Sequence, residues 1–62
     1  MSFRIMRERA EMTQMQVSQA LNIPQSTIAS WETGRSKPRA DKLPLIAKLL
    51  GCTVDDLLKE AI

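Results

Sequence analysis

The residues of this 62-residue chain that could do chemistry are few, and their types exclude most reactions. There is no histidine for general acid–base work, and Cys52 stands alone, without a histidine to activate it or a second cysteine to pair with. The seven carboxylates are scattered or sit at helix starts. Gly34 and Gly51 both read as helix stops, so no glycine-rich phosphate loop exists. The chain is therefore expected not to be an enzyme and to hold no cofactor, no metal and no small-molecule ligand. What remains is hydrogen-bonding chemistry. Gln25, Ser26, Ala29, Ser30 and Thr33 fall on one side of a predicted helix, with Thr27 flanking them. A solvated helix face ordinarily carries Lys, Glu and Arg in i,i+4 pairs, yet none occurs between Gln25 and Trp31. Short polar side chains let a helix seat deeply in a DNA major groove about 12 Å wide. Gln25 can bond both edge groups of an adenine, and Ser26 and Ser30 can bond most bases. A polar surface helix or a protein–protein face fits the stripe equally well, and from the stripe alone the readings stand level.

The charge distribution adds a second element. The net charge of +2 is too small to argue for nucleic acid. Residues 35–42, however, hold Arg35, Lys37, Arg39 and Lys42 against Asp41, whereas residues 51–62 hold Asp55, Asp56 and Glu60 against Lys59. A basic stretch beside the stripe can sit on phosphates; taken alone it is a solvated loop.

The elements that must position these residues read as five helices and no strand. Helix 1 spans Ser2 to about Ala10, with Phe3, Met6 and Ala10 inward. Arg7 lies close to that apolar seam and needs a partner. Thr13-x-x-Gln16 is a capping box that opens helix 2, with Met12 and Val17 as its hydrophobic staple. Val17 and Leu21 face the core, and Asn22 supplies the left-handed residue of a sharp turn. Helix 3 begins at Pro24 or Gln25, buries Ile28 and Trp31 and stops at Gly34. Helix 4 runs from Asp41, as N-cap, to Leu50, which puts Pro44 at the third helical position. Helix 5 opens at Thr53 and turns Val54, Leu57 and Leu58 inward. Met6, Met12 and Met15 read as gap-fillers. Leu57, Leu58 and Ile62 exceed what a small core absorbs, which fits a dimer contact through helix 5, with a frayed tail as the alternative for Ile62. One domain over residues 1–62 fits the length. Without a signal peptide or an apolar membrane span, a cytoplasmic place and no membrane partner are expected.

Several of these residues together resemble a known family. Thr13-Gln14, Ile28, Trp31-Glu32 and Gly34 resemble the T-Q…I-x-x-W-E-x-G signature of the Cro/C1-type (XRE) helix-turn-helix proteins. Arg7, six residues before Thr13, matches the family's helix-1 arginine. Residues 50–58, Leu-Gly-Cys-Thr-Val-Asp-Asp-Leu-Leu, resemble its helix 4–helix 5 junction. The resemblance covers essentially the whole chain and implies an all-α, compact five-helix bundle of the lambda-repressor-like type. It implies a transcriptional regulator, most simply a repressor, that binds double-stranded DNA at a palindromic operator as a homodimer, with helix 3 in the major groove. Carried over by position, Gln25, Ser26 and Ser30 face bases with Thr27 beside them. Gln14, Thr33, Arg35 and Lys37 hold phosphates, and Arg7 and Glu32 form a structural ion pair. The competing reading is a protein-interaction module that keeps the fold without DNA binding. Three departures stand out: Glu11 replaces a frequent Gly, Ser18 a usual Ala, and Pro24 a usual Ser or Thr cap.

Overall fold

Each helix contributes one side chain that is wholly removed from solvent: Phe3, Val17, Ile28, Ile46 and Leu57. The computed structural model describes residues 2–59. Its elements are α1 (Phe3–Arg9), α2 (Gln14–Leu21), α3 (Gln25–Thr33), a 3-10 turn (Ala40–Lys42), α4 (Leu43–Leu50) and α5 (Val54–Leu58), and no strand occurs among the described residues. The architecture is all-helical. Trp31, Ala47 and Leu50 complete the core, and Met6, Ala10, Met12, Leu21, Ile23, Leu43, Leu49, Cys52 and Val54 pack around it. Phe3 meets Trp31 edge to face, with ring centroids 5.6 Å apart at 78°, the arrangement aromatic quadrupoles favour.

The caps at α2 and α5 are local and form as the residues dictate. Thr13 Oγ1 accepts from the Gln16 N–H at 3.0 Å, and Gln16 Oε1 accepts from the Thr13 N–H at 2.8 Å. Thr53 and Asp56 repeat the reciprocal pair at α5. Ser18 is buried, and its hydroxyl donates to the Met15 carbonyl at 2.8 Å. That bond satisfies the group that distinguishes it from alanine.

Three expectations are corrected. Asp41 does not cap α4. It lies in the 3-10 turn, and α4 begins two residues later, at Leu43, with Pro44 at its second position. The Lys42 N–H donates to the Arg39 carbonyl at 2.9 Å, and the Leu43 N–H to that of Ala40. Backbone carbonyls thus do the work of a side-chain cap. Leu58, expected inward, is 53% exposed, because Leu57 takes the buried position of this short helix. Met15, expected as a gap-filler, is 48% exposed. Ile62 lies outside the described residues. The chain closes through Ser2, whose N–H donates to the Leu57 carbonyl at 2.8 Å and whose hydroxyl donates to the Lys59 carbonyl.

Candidate nucleic-acid interface

The turn between α2 and α3 is set by Asn22, at φ 57° and ψ 47°. Asn adopts this left-handed conformation at lower cost than other residues with a Cβ. Its N–H donates to the Gln19 carbonyl at 3.3 Å, and the next, of Ile23, to that of Ser18 at 3.0 Å. These bonds close α2, and Pro24, extended at ψ 144°, leads straight into α3. Ile28 and Trp31 then hold the inner side of α3 in the core, which leaves its other side outward.

That outer side gathers part of the expected site. Ser26, Ala29, Ser30 and Thr33 line an open depression together with Arg35 from the loop after Gly34. Gln25 and Ser26 are exposed, while Thr27, Ala29 and Ser30 are half-buried. Gln25, Thr27 and Lys37 lie outside the depression, with Gln25 and Lys37 open to solvent. The Thr33 hydroxyl donates to the Ser30 carbonyl at 3.3 Å, so donation to a phosphate requires it to leave that bond. Ala29 was assigned to the stripe without a role. Its spacing from Ser26, Ser30 and Thr33 is the signal that places it with them in the depression's lining.

The loop turns through Gly34, at φ 81°, a conformation that strains any residue with a Cβ. The Arg35 and Ser36 N–H groups both donate to the Ser30 carbonyl, at 3.0 and 3.4 Å. This pulls the first basic residue back over the end of α3. Arg39 lies 3.9 Å from Asp41, but both are well exposed and the pair contributes little.

Behind α3 lies a polar cluster. Arg7 Nε is 2.5 Å from Glu32 Oε2 and Arg7 Nη2 is 3.2 Å from Oε1. The two side chains are 12% and 6% exposed. Arg7 Nη1 also donates to the Met12 carbonyl at 2.8 Å. Gln14, the residue expected on phosphate, donates through Nε2 to Glu32 Oε1 at 3.0 Å. No signal local to the sequence linked Gln14 to Glu32, since the two lie on different helices. Hydrogen bonding to Glu32 raises the Arg7 guanidinium above its ordinary value. Burial pushes the Glu32 carboxyl up, but hydrogen bonds from Arg7 and Gln14, with the arginine's charge, outweigh it and hold the group below the usual range.

No cluster of metal-ligating side chains occurs among the described residues, and no helix there is long and apolar enough to cross a membrane. A family model described as helix-turn-helix matches residues 3–57. The chain belongs to the helix-turn-helix family, Cro/C1 type. A curated relative, the HTH-type transcriptional activator BcrR of Enterococcus faecalis, is 32% identical over 53 residues. The match covers 86% of this chain and 26% of the relative, so the chain spans about a quarter of that protein's length. No solved structure matches it.

Proposed function

We propose that this helix-turn-helix domain reads a specific duplex sequence by laying α3 in the major groove. The observation that carries the reading is the depression that the uncharged Ser26, Ala29, Ser30 and Thr33 line together with Arg35. Gln25, Ser26 and Ser30, with Thr27 beside them, face base edges. Gln14, Thr33, Arg35 and Lys37 hold the flanking phosphates. Two copies bind a palindromic operator with half-sites about one helical turn, roughly 34 Å, apart. Where the operator overlaps a promoter, the bound dimer excludes the polymerase and represses. The E. faecalis relative is named an activator, and the same mode of reading serves activation from a site beside the promoter.

Readout and anchoring separate experimentally. Selection of bound duplexes from a random pool yields the preferred site, and binding to it is then measured across a salt series. Gln25→Ala should weaken the selected site by roughly 1–3 kcal/mol and relax preference at one base pair. Arg35→Ala should weaken all duplexes alike and lower the salt slope by about 1. Equal loss on every sequence from Gln25→Ala would move Gln25 to the phosphates. Salt-indifferent or absent duplex binding would return the protein-interaction reading.

A further inference from the structure

Glu32 receives three hydrogen bonds, and the one from Gln14 is not needed to neutralise it. Arg7 already supplies the opposite charge through Nε and Nη2. The third bond, Gln14 Nε2 to Glu32 Oε1 at 3.0 Å, has a different consequence. A side-chain amide carries two N–H donors on one edge and an acceptor oxygen on the other, and a half-turn exchanges them. An ionised carboxylate only accepts. Glu32 therefore admits only the N–H edge, and the Gln14 amide is confined to one of its two orientations. One Nε2 hydrogen is used by Glu32, and the second has no acceptor among the described residues. Gln14 is half-buried and opens α2, where the Gln14 and Met15 backbone N–H groups precede any intrahelical acceptor.

We propose that Glu32 is a positioning residue for DNA binding: it turns the Gln14 amide so that an N–H, and not the carbonyl, is left for a backbone phosphate at the start of α2. The inference rests on the reading of Gln14 as a phosphate donor. A flipped amide would set its carbonyl oxygen against phosphate oxygens, acceptor against acceptor. Arg7 acts one step further back. It keeps Glu32 ionised, and through Nη1 it holds the Met12 carbonyl at 2.8 Å, in the segment that leads into α2. The residue pair that stabilises the fold thereby also sets a contact at the interface.

The test uses the 62-residue chain and the selected duplex, with one phosphate at a time replaced by a neutral methylphosphonate. One replacement should weaken the wild type about tenfold, the scale of a hydrogen bond to a charged group. The same replacement should affect Gln14→Ala by less than about threefold, which identifies the phosphate Gln14 serves. At that phosphate Glu32→Gln should be as insensitive as Gln14→Ala, because an amide at 32 accepts either edge of its neighbour. Sensitivity at the other phosphates and the base preference should stay. Lysine has no edge to orient, so Gln14→Lys added to Glu32→Gln should restore sensitivity there. Full sensitivity in Glu32→Gln, or no restoration by Gln14→Lys, overturns the role of Glu32 alone. If no phosphate is silenced by Gln14→Ala, the reading of Gln14 falls and takes the inference with it. Should Glu32→Gln not fold, the wild type decides by side-chain NMR. A Gln14 amide nearly as ordered as rigid backbone, about 0.85, supports the inference, and one below about 0.6 overturns it.

Discussion

Arg7 carries a charge to a position where only 12% of its side chain meets solvent, and the structure answers with three acceptor contacts. Removing the cation strands a carboxylate that is more deeply buried than the arginine itself. Arg7→Met should therefore destabilise the domain by about 3 kcal/mol, measured by denaturant unfolding with Trp31, the single tryptophan, as the fluorescent reporter. An unchanged midpoint would show a solvated arginine. The same pair predicts a pH dependence. The Glu32 carboxyl titrates below its ordinary range in the folded chain, so its contribution is complete above the unfolded glutamate value, about 4.3. The contribution is lost as the pH falls from there through the folded value. In Glu32→Gln this part of the acid loss should vanish from stability measured as the pH is lowered from neutral through the unfolded glutamate value and below it. From the residues alone, Arg7 was legible as a cation in want of a partner. Glu32 as that partner came from the family resemblance, since 25 positions separate the two and no periodicity connects them.

At the scale of the element, the helix ends divide into those governed by neighbours in sequence and those governed by the chain's path. The capping box at Thr13, the cap at Thr53, the left-handed Asn22 and the Gly34 and Gly51 stops each act within a turn of their own position. That range is why they could be read directly. Asp41 had the right type for a cap, but the chain arrives at α4 through a 3-10 turn whose carbonyls already take the leading N–H groups. The α1–α2 turn carries a backbone cost where Glu11 stands in place of the family's frequent Gly. Glu11 sits at φ 58°, and with Met12 it closes α1 by N–H bonds to the Glu8 and Arg7 carbonyls, at 3.0 and 3.2 Å. A residue with a Cβ is strained there, and glycine is not. Glu11→Gly should raise stability by roughly 0.5–1 kcal/mol, less than the strain relieved because glycine also loosens the unfolded chain. A lower melting temperature would mean that the Glu11 side chain stabilises the turn by more than its backbone costs.

For the whole molecule, one fully buried side chain from each of five helices makes the centre of a core in which no helix can be removed without exposing the others. Ser2 adds a clasp between the start of α1 and the end of α5. A domain this small still leaves apolar surface uncovered: Leu45 is 51% exposed and Leu58 53%. If Leu58 lies in the proposed contact between two copies, Leu58→Lys should lower the dimer fraction by sedimentation. Binding to the two-half-site duplex should then weaken, while affinity for a single half-site is kept. An unchanged sedimentation profile would move the dimer contact elsewhere.

The sequence by itself determined what obeys short-range rules. These are the helices, the caps at Thr13 and Thr53, the outward polar stripe of α3 and the basic stretch after it, all set by spacing within one or two turns. In the full register of Thr13 to Gly34 it also carried the family. The tertiary structure decided which side chains meet across helices. It placed Leu57 rather than Leu58 in the core, began α4 at Leu43, and brought Gln14 to the carboxylate that Arg7 holds. Such meetings depend on how five short helices divide one small interior, and no local pattern encodes that division.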